Sequence, residues 1–233
     1  MFVLETILYF AYHVLLLPFG VLLSFAFSSV ALLQKKNGVV LGGLVLFCGA
    51  LQLAAYLVFD ELMVWKIYPL ITHVPTVLVL CLRYHKGVVT ALCAVSSAYL
   101  CCQPPRWMGI LTASLTKSAV AGHVVSILVL LPVAALIFWY IAPTLSKLFH
   151  KDIKSVLIFG AVPLAYYLYD YSMGIYTDFW TNNNRVVIEF LPFLLCVAFF
   201  LFCIVYYEQY EQKADTEQKE QLIRIAVEQQ SRE

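Results

Sequence analysis

The chain has 233 residues, 62% hydrophobic and 12% charged, with a formal net charge of +1 at pH 7, where a soluble domain has roughly a quarter charged residues. A soluble fold cannot hide so much apolar side chain, so lipid must cover most of it, and the near-neutral balance excludes a nucleic-acid binder, which needs a basic face. The composition predicts an all-α fold: a polytopic membrane helix bundle of about seven spans, amino terminus outside, followed by a cytoplasmic helix.

Met1 is followed by Phe-Val-Leu-Glu rather than a basic segment, and no small-residue cleavage site closes the first apolar stretch, so the first span is expected to be retained. Each span needs roughly 20 apolar residues. The first is read from about Thr6 to Leu33, with Pro18 as a tolerated kink. The second runs from Val39 to Phe59, where Gly42, Gly43 and Gly49 would allow close helix contact. A third runs from Ile67 to Leu82 with Pro69 and Pro75, and a short fourth from Val88 to Cys102 stops at Pro104-Pro105. Arg106 to Ser118 is expected as a short outer-surface helix, with an eighth span as the alternative. The fifth runs from Val120 to Ala142, the sixth from Ile153 to about Tyr176 and the seventh from Val186 to Tyr207.

Orientation follows from Lys and Arg in the short loops. With the amino terminus outside, Lys35, Lys36, Arg83, Lys86, Lys147, Lys151 and Lys154 fall inside, and Lys66, Arg106, Lys117 and Arg185 outside. The seven cysteines lie in or beside apolar stretches without disulfide or zinc spacing. They are expected to be free thiols acting as small hydrophobes.

From Phe193 to Glu233 there is neither proline nor glycine, so nothing stops the seventh helix at the membrane. Its character turns polar after Tyr207, which divides the chain into a membrane domain, 1–207, and a cytoplasmic helix, 208–233. Glu217 with Gln221 and Glu220 with Arg224 stand at helical spacing. Tyr210, Ala214, Leu222, Ile225, Ala226 and Gln229 form a broken apolar stripe, read either as a parallel dimer seam or as a solvated face. No stop signal precedes Glu233, so the helix reads as the start of a linker.

Ionisable groups at membrane depth are costly and mark function. His73, His123, Asp170 and Glu189, with Arg106 nearby, are the candidate ligand-binding residues, together with Tyr167 from the cluster Tyr166-Tyr-Leu-Tyr-Asp-Tyr171. Asp170 needs a partner such as Arg106 or a tyrosine hydroxyl. His73 either joins this site or bonds a carbonyl freed by Pro75, and His123 and Glu189 either join it or are solvated at the interface. Trp65, Tyr68, Trp107, Tyr176 and Trp180 read as outer interface markers, and Trp139 and Tyr140 as inner ones. No catalytic constellation, phosphate loop or metal motif is present, and none of the chain's residues calls for a cofactor.

Three stretches carry a resemblance: Tyr68-Pro-Leu-Ile-Thr-His-Val-Pro75 with Arg83-Tyr-His-Lys86 and Ala98-Tyr-Leu-Cys-Cys-Gln-Pro-Pro-Arg-Trp107; Tyr166 to Tyr171; and the passage from the last span into Tyr206-Tyr-Glu-Gln-Tyr-Glu-Gln-Lys. Together they resemble the amino-terminal membrane sensor of GHKL-type bacterial sensor histidine kinases, the group that includes the accessory-gene-regulator peptide receptors. The resemblance implies a homodimeric sensor, and the depth of the ionisable residues sets its expected ligand, a small molecule or peptide, extracellular or dissolved in the bilayer, among the outer ends of spans three to seven. It also implies ATP and a response regulator served by a kinase domain beyond this stretch. A transporter or channel component, and a scaffold whose tail recruits a partner, are the rival readings.

Overall fold

The computed structural model describes residues 2–175 and 185–230, and among them every regular element is helical. α1 (Phe2–Phe27) is central. It packs against α5 (Val88–Cys101) and α7 (Ala119–Leu136), and also meets α2 (Lys35–Val58) and α8 (Ala142–Lys151). α3 (Glu61–Tyr68) passes through a π-helical turn, Pro69–His73, into α4 (Val74–Tyr84). α6 (Gln103–Thr116) pairs along α7, α9 (Ile153–Asp170) lies along α5, and α10 (Arg185–Gln230) packs on α9 and α8. The protein is a multi-pass helical membrane bundle.

Among the described residues, six helical stretches are long and apolar enough to cross a membrane: Val3–Phe27, Lys35–Val58, Glu61–Tyr84, Val88–Thr116, Ala119–Lys151 and Phe190–Ile225. α9 is not among them, because Lys154 and the Tyr-rich turn ending in Asp170 lower its apolarity. It nevertheless runs the length of the bundle. Val156 is buried in the same core as Leu148 and Tyr207 at one end, and Asp170 reaches Tyr99 and Arg106 toward the other.

Two expectations need correction. Pro104-Pro105 does not end the fourth span, and the Arg106–Ser118 stretch is not a separate surface helix. After one turn residue at Cys102, α6 continues to Thr116 within a 29-residue stretch, because prolines in a helix's first turn lack only N–H groups that would be unpaired anyway. α6 then packs face to face with α7. A Cβ on Gly122 would stand 2.7 Å from the Gly109 carbonyl oxygen and 2.8 Å from the Ala113 Cβ, so only glycine permits this approach. The second correction concerns α2, where close contact was expected at its glycines. A Cβ on Gly42 or Gly43 would meet nothing within 4 Å, and one on Gly49 would make an ordinary 3.6 Å contact with Leu17.

Helix ends follow local chemistry. Asp60 caps α3 by accepting the Met63 N–H at 2.8 Å, and Asp152 caps α9 by accepting the Ser155 N–H at 2.6 Å. That bond holds the exposed Asp152 carboxyl below its ordinary pKa. His85 and Lys117 adopt left-handed backbone (φ 52° and 53°) at the ends of α4 and α6. All seven cysteines are free.

The termini of the described chain lie at opposite ends of the bundle. Tyr9, Tyr56 and Glu61 are hydrogen-bonded at the amino-terminal end, and Ser29 with Ser146 and Thr144 with Glu208 at the tail end. α10 is one helix through residues 206–211; Tyr210 is exposed, and so is every described side chain beyond Glu211, Leu222 and Ile225 included.

Candidate functional site

A cavity of about 380 Å³ opens in the amino-terminal half of the bundle. One face of α1 supplies its long wall: Tyr9, Tyr12, His13, Leu16, Leu17, Gly20, Val21 and Ser24, a three-and-four spacing that sets them in one stripe. α5 and α6 supply Val95, Ala98, Tyr99, Cys102, Gln103 and Arg106, α7 supplies Gly122, His123 and Ser126, and α2 supplies Gln52. The π-helical turns add Thr72 and His73 on one side and Tyr171 on the other, beside Asp170. Such turns rotate the helix by an extra residue and recur at functional sites. Here the first has a local cause, since Pro75 has no N–H to return to the Ile71 carbonyl, and the Val74 N–H bonds to Pro69 instead.

The polar centre joins four elements. Asp170, 4% exposed, accepts a hydrogen bond from the Tyr99 hydroxyl on Oδ2, and Arg106 Nη1 stands 3.6 Å from the same oxygen. Arg106 also donates to Gln103 Oε1 at 3.2 Å. A buried carboxylate is tolerable only with this kind of pairing. His73 Nδ1 lies 2.8 Å from the Tyr167 hydroxyl, rather than on a carbonyl freed by Pro75, and its ring meets those of Tyr68, Tyr99 and Tyr171. His13 donates through Nδ1 to the Tyr9 carbonyl at 2.8 Å and packs on Trp65. His123 meets the Tyr9 ring edge-on at 5.8 Å. The Tyr9 hydroxyl donates to Glu61 at 2.8 Å, tying α1 to α3 at the cavity's end. The Tyr12 hydroxyl has no hydrogen-bond partner among the described residues, although Tyr12 is only 5% exposed.

Of the residues singled out from sequence, Asp170, His73, Arg106 and His123 line this one cavity, and Tyr167 supports it through His73. Glu189 is on α10, but its side chain lies outside the described residues, as do Tyr176 and Trp180. The ligand was expected among spans three to seven; this cavity takes its principal wall from α1, and no described residue of α10 lines it. Tyr9, Tyr12, His13, Tyr99 and Gln103 were missed, although the spacing of Tyr9, Tyr12, His13, Gly20 and Ser24 marks one face of α1. Trp65 and Tyr68 line the cavity instead of the interface, and Trp107 is 2% exposed, packed on Phe190 and Phe193 at 5.1 and 5.8 Å. Trp139 and Tyr140 are exposed, as interface markers would be.

Fold and site together define a polytopic helical membrane protein with an aromatic-walled cavity. No family model matches the chain, nor does any curated protein or solved structure. Among the described residues no cluster of His, Cys, Asp or Glu is arranged to hold a metal ion.

Proposed function

We propose that this chain is the ligand-sensing membrane domain of a signal transducer, a sensor histidine kinase of the GHKL type, working as a homodimer with its carboxy-terminal helix in the cytoplasm. The observation that carries this reading is the position of α10 relative to the Arg106–Asp170 pair. Trp107, next to Arg106, stacks on Phe193 of α10, and Tyr166, one turn before Asp170, lies 6.2 Å from the same ring. Both halves of the ion pair therefore sit on helices that grip one residue of α10. A ligand that binds one spacing of that pair better than another would shift α6 and α9 against α10, and only such differential binding can shift the equilibrium. α10 then runs without a break to Gln230, so displacement at Phe193 reaches the polar tail. ATP and a response regulator belong to the kinase that this tail would feed.

The test joins α10 in helical register to a histidine-kinase catalytic core and inserts one to four residues after Gln212. Each insertion rotates the output by ~100° about the helix axis, so autophosphorylation should rise and fall with helical phase. Output indifferent to phase would refute the rod. A transporter reading instead expects solute flux through reconstituted vesicles, independent of the tail.

A further inference from the structure

Depth along the cavity is set by register. α1 lines it from Tyr9 to Ser24, a length of ~22 Å at 1.5 Å per residue. Arg106 stands one helical turn above Cys102, which is level with Gly20, so the ion pair lies near the middle of that wall. Gly20 is level with Cys102, whose sulfur would stand 3.5 Å from a Cβ there. Cys102 is one turn deeper than Arg106, and Ala98 and Val95 are deeper still.

Below the ion pair the cavity becomes apolar. Leu17, Gly20, Val21, Val95 and Ala98 form its walls. The hydroxyls there are turned back on their own helices, Ser24 donating to the Gly20 carbonyl at 2.9 Å and Thr76 to the Thr72 carbonyl at 2.7 Å. The alcove from Leu17 to Ser24 is ~10 Å long. At the ion pair the chemistry reverses. Arg106 and Asp170 are the two formally charged residues among the described lining, and they cancel. A ligand bringing a net charge to that depth would be uncompensated, whereas a neutral carbonyl or amide would find donors and acceptors. The Tyr12 hydroxyl, buried in the wall without a partner among the described residues, is a place where such a group would be bonded, since buried hydroxyls normally are.

We propose, resting on the sensor reading, that the ligand is a net-neutral amphiphile. Its carbonyl or amide head sits beside Tyr12, Arg106 and Asp170, and a short unbranched alkyl tail runs down the alcove past Gly20 and Val21. The volume, at the lower end of the range for small-ligand sites, suits such a molecule rather than a whole peptide.

The experiment titrates the full chain in lipid nanodiscs with N-methylalkanamides of four to fourteen carbons, against empty nanodiscs, with alkanoates and alkylamines of equal length for comparison. Affinity for the amides should rise about threefold to fourfold per methylene until the alcove is full, then stop. Gly20→Leu should move that break to shorter chains, and Gly20→Ala should do so by less, which keeps the test intact if the leucine variant unfolds. Tyr12→Phe should weaken amide binding about tenfold without lowering the thermal midpoint of the empty protein. Affinity climbing through the longest chain and unmoved by either Gly20 variant would mean lipid partitioning and overturn the proposal. Alkanoates or alkylamines binding as tightly as the amides would overturn the neutral head. Amide binding without phase-dependent kinase output would sink the sensor reading and leave the ligand class standing. Phase-dependent output without amide binding would do the reverse.

Discussion

Asp170 is the residue on which the site turns, because one of its carboxylate oxygens serves both Tyr99 and Arg106. Asp170→Asn keeps an acceptor for Tyr99 but removes the negative charge that faces Arg106. Arg106 is a third exposed, so the cost should fall below that of a fully buried pair, at about 2 kcal/mol, read as a lowered thermal midpoint with expression intact. In a cycle with Arg106→Gln, the double variant should be more stable than the sum of the single losses predicts, by about 1 kcal/mol. Strict additivity would mean that the 3.6 Å pair does not couple. Asp170, Arg106, His73 and His123 were legible in the sequence because ionisable groups stand out against apolar spans. Tyr12 and His13 were not, since an aromatic residue near a span's end reads equally as an interface anchor. Only the packing of α1 at the bundle's centre turns that face inward.

The helix elements show a different limit. Glycines in a sequence say where a backbone can be approached, not which helix approaches it. α2 is the most visibly glycine-rich span, yet Gly42 and Gly43 face open space, while single glycines on α6 and α7 make the closest backbone contact. Gly122→Leu should therefore force α6 from α7 and destabilise the protein by about 1–3 kcal/mol, whereas Gly42→Leu should change the unfolding midpoint little. Equal effects at the two positions would contradict the packing. Pro104-Pro105 misled for a related reason, because a proline pair ends one helix or starts the next with the same residues. What decides is whether the following segment has a partner, and α7 supplies it. The unbroken passage of α10 beyond Tyr207 was legible, since forty-one residues without proline or glycine offer no break and the helix persists to Gln230.

For the whole molecule, the hydrogen bonds at each end fix which loops share a side. The proposed orientation, with the tail inside, rests on the distribution of Lys and Arg in the loops. Cysteines introduced at Lys66 and Lys117 should react with a charged, membrane-impermeant thiol reagent in intact cells. Cysteines at Lys86 and Asp152 should react only in inverted vesicles, and the opposite pattern would place the tail on the exterior.

The larger mechanical question is how displacement near Phe193 is held to α10's far end. The helix is gripped a second time where it leaves the bundle: the Thr144 hydroxyl donates to Glu208 at 2.5 Å, and the Lys151 ammonium lies 5.6 Å from the Tyr207 ring centre. The two grips are separated by fifteen residues, ~22 Å of helix, and α8 supplies the second while α6 and α9 supply the first. A rigid α10 links them, so motion at one must strain or shift the other. Loosening the lower grip with Thr144→Val should then change basal kinase output in the fused protein without altering affinity at the cavity by more than about twofold, as for a coupling far below 1 kcal/mol. Replacing Gln212-Lys213 by Gly-Gly weakens the helix by roughly 1 kcal/mol per glycine relative to alanine, and should flatten the dependence on helical phase that simple insertions preserve. If the glycine pair left the phase dependence at full amplitude, the signal would have to travel through contacts between copies rather than along α10.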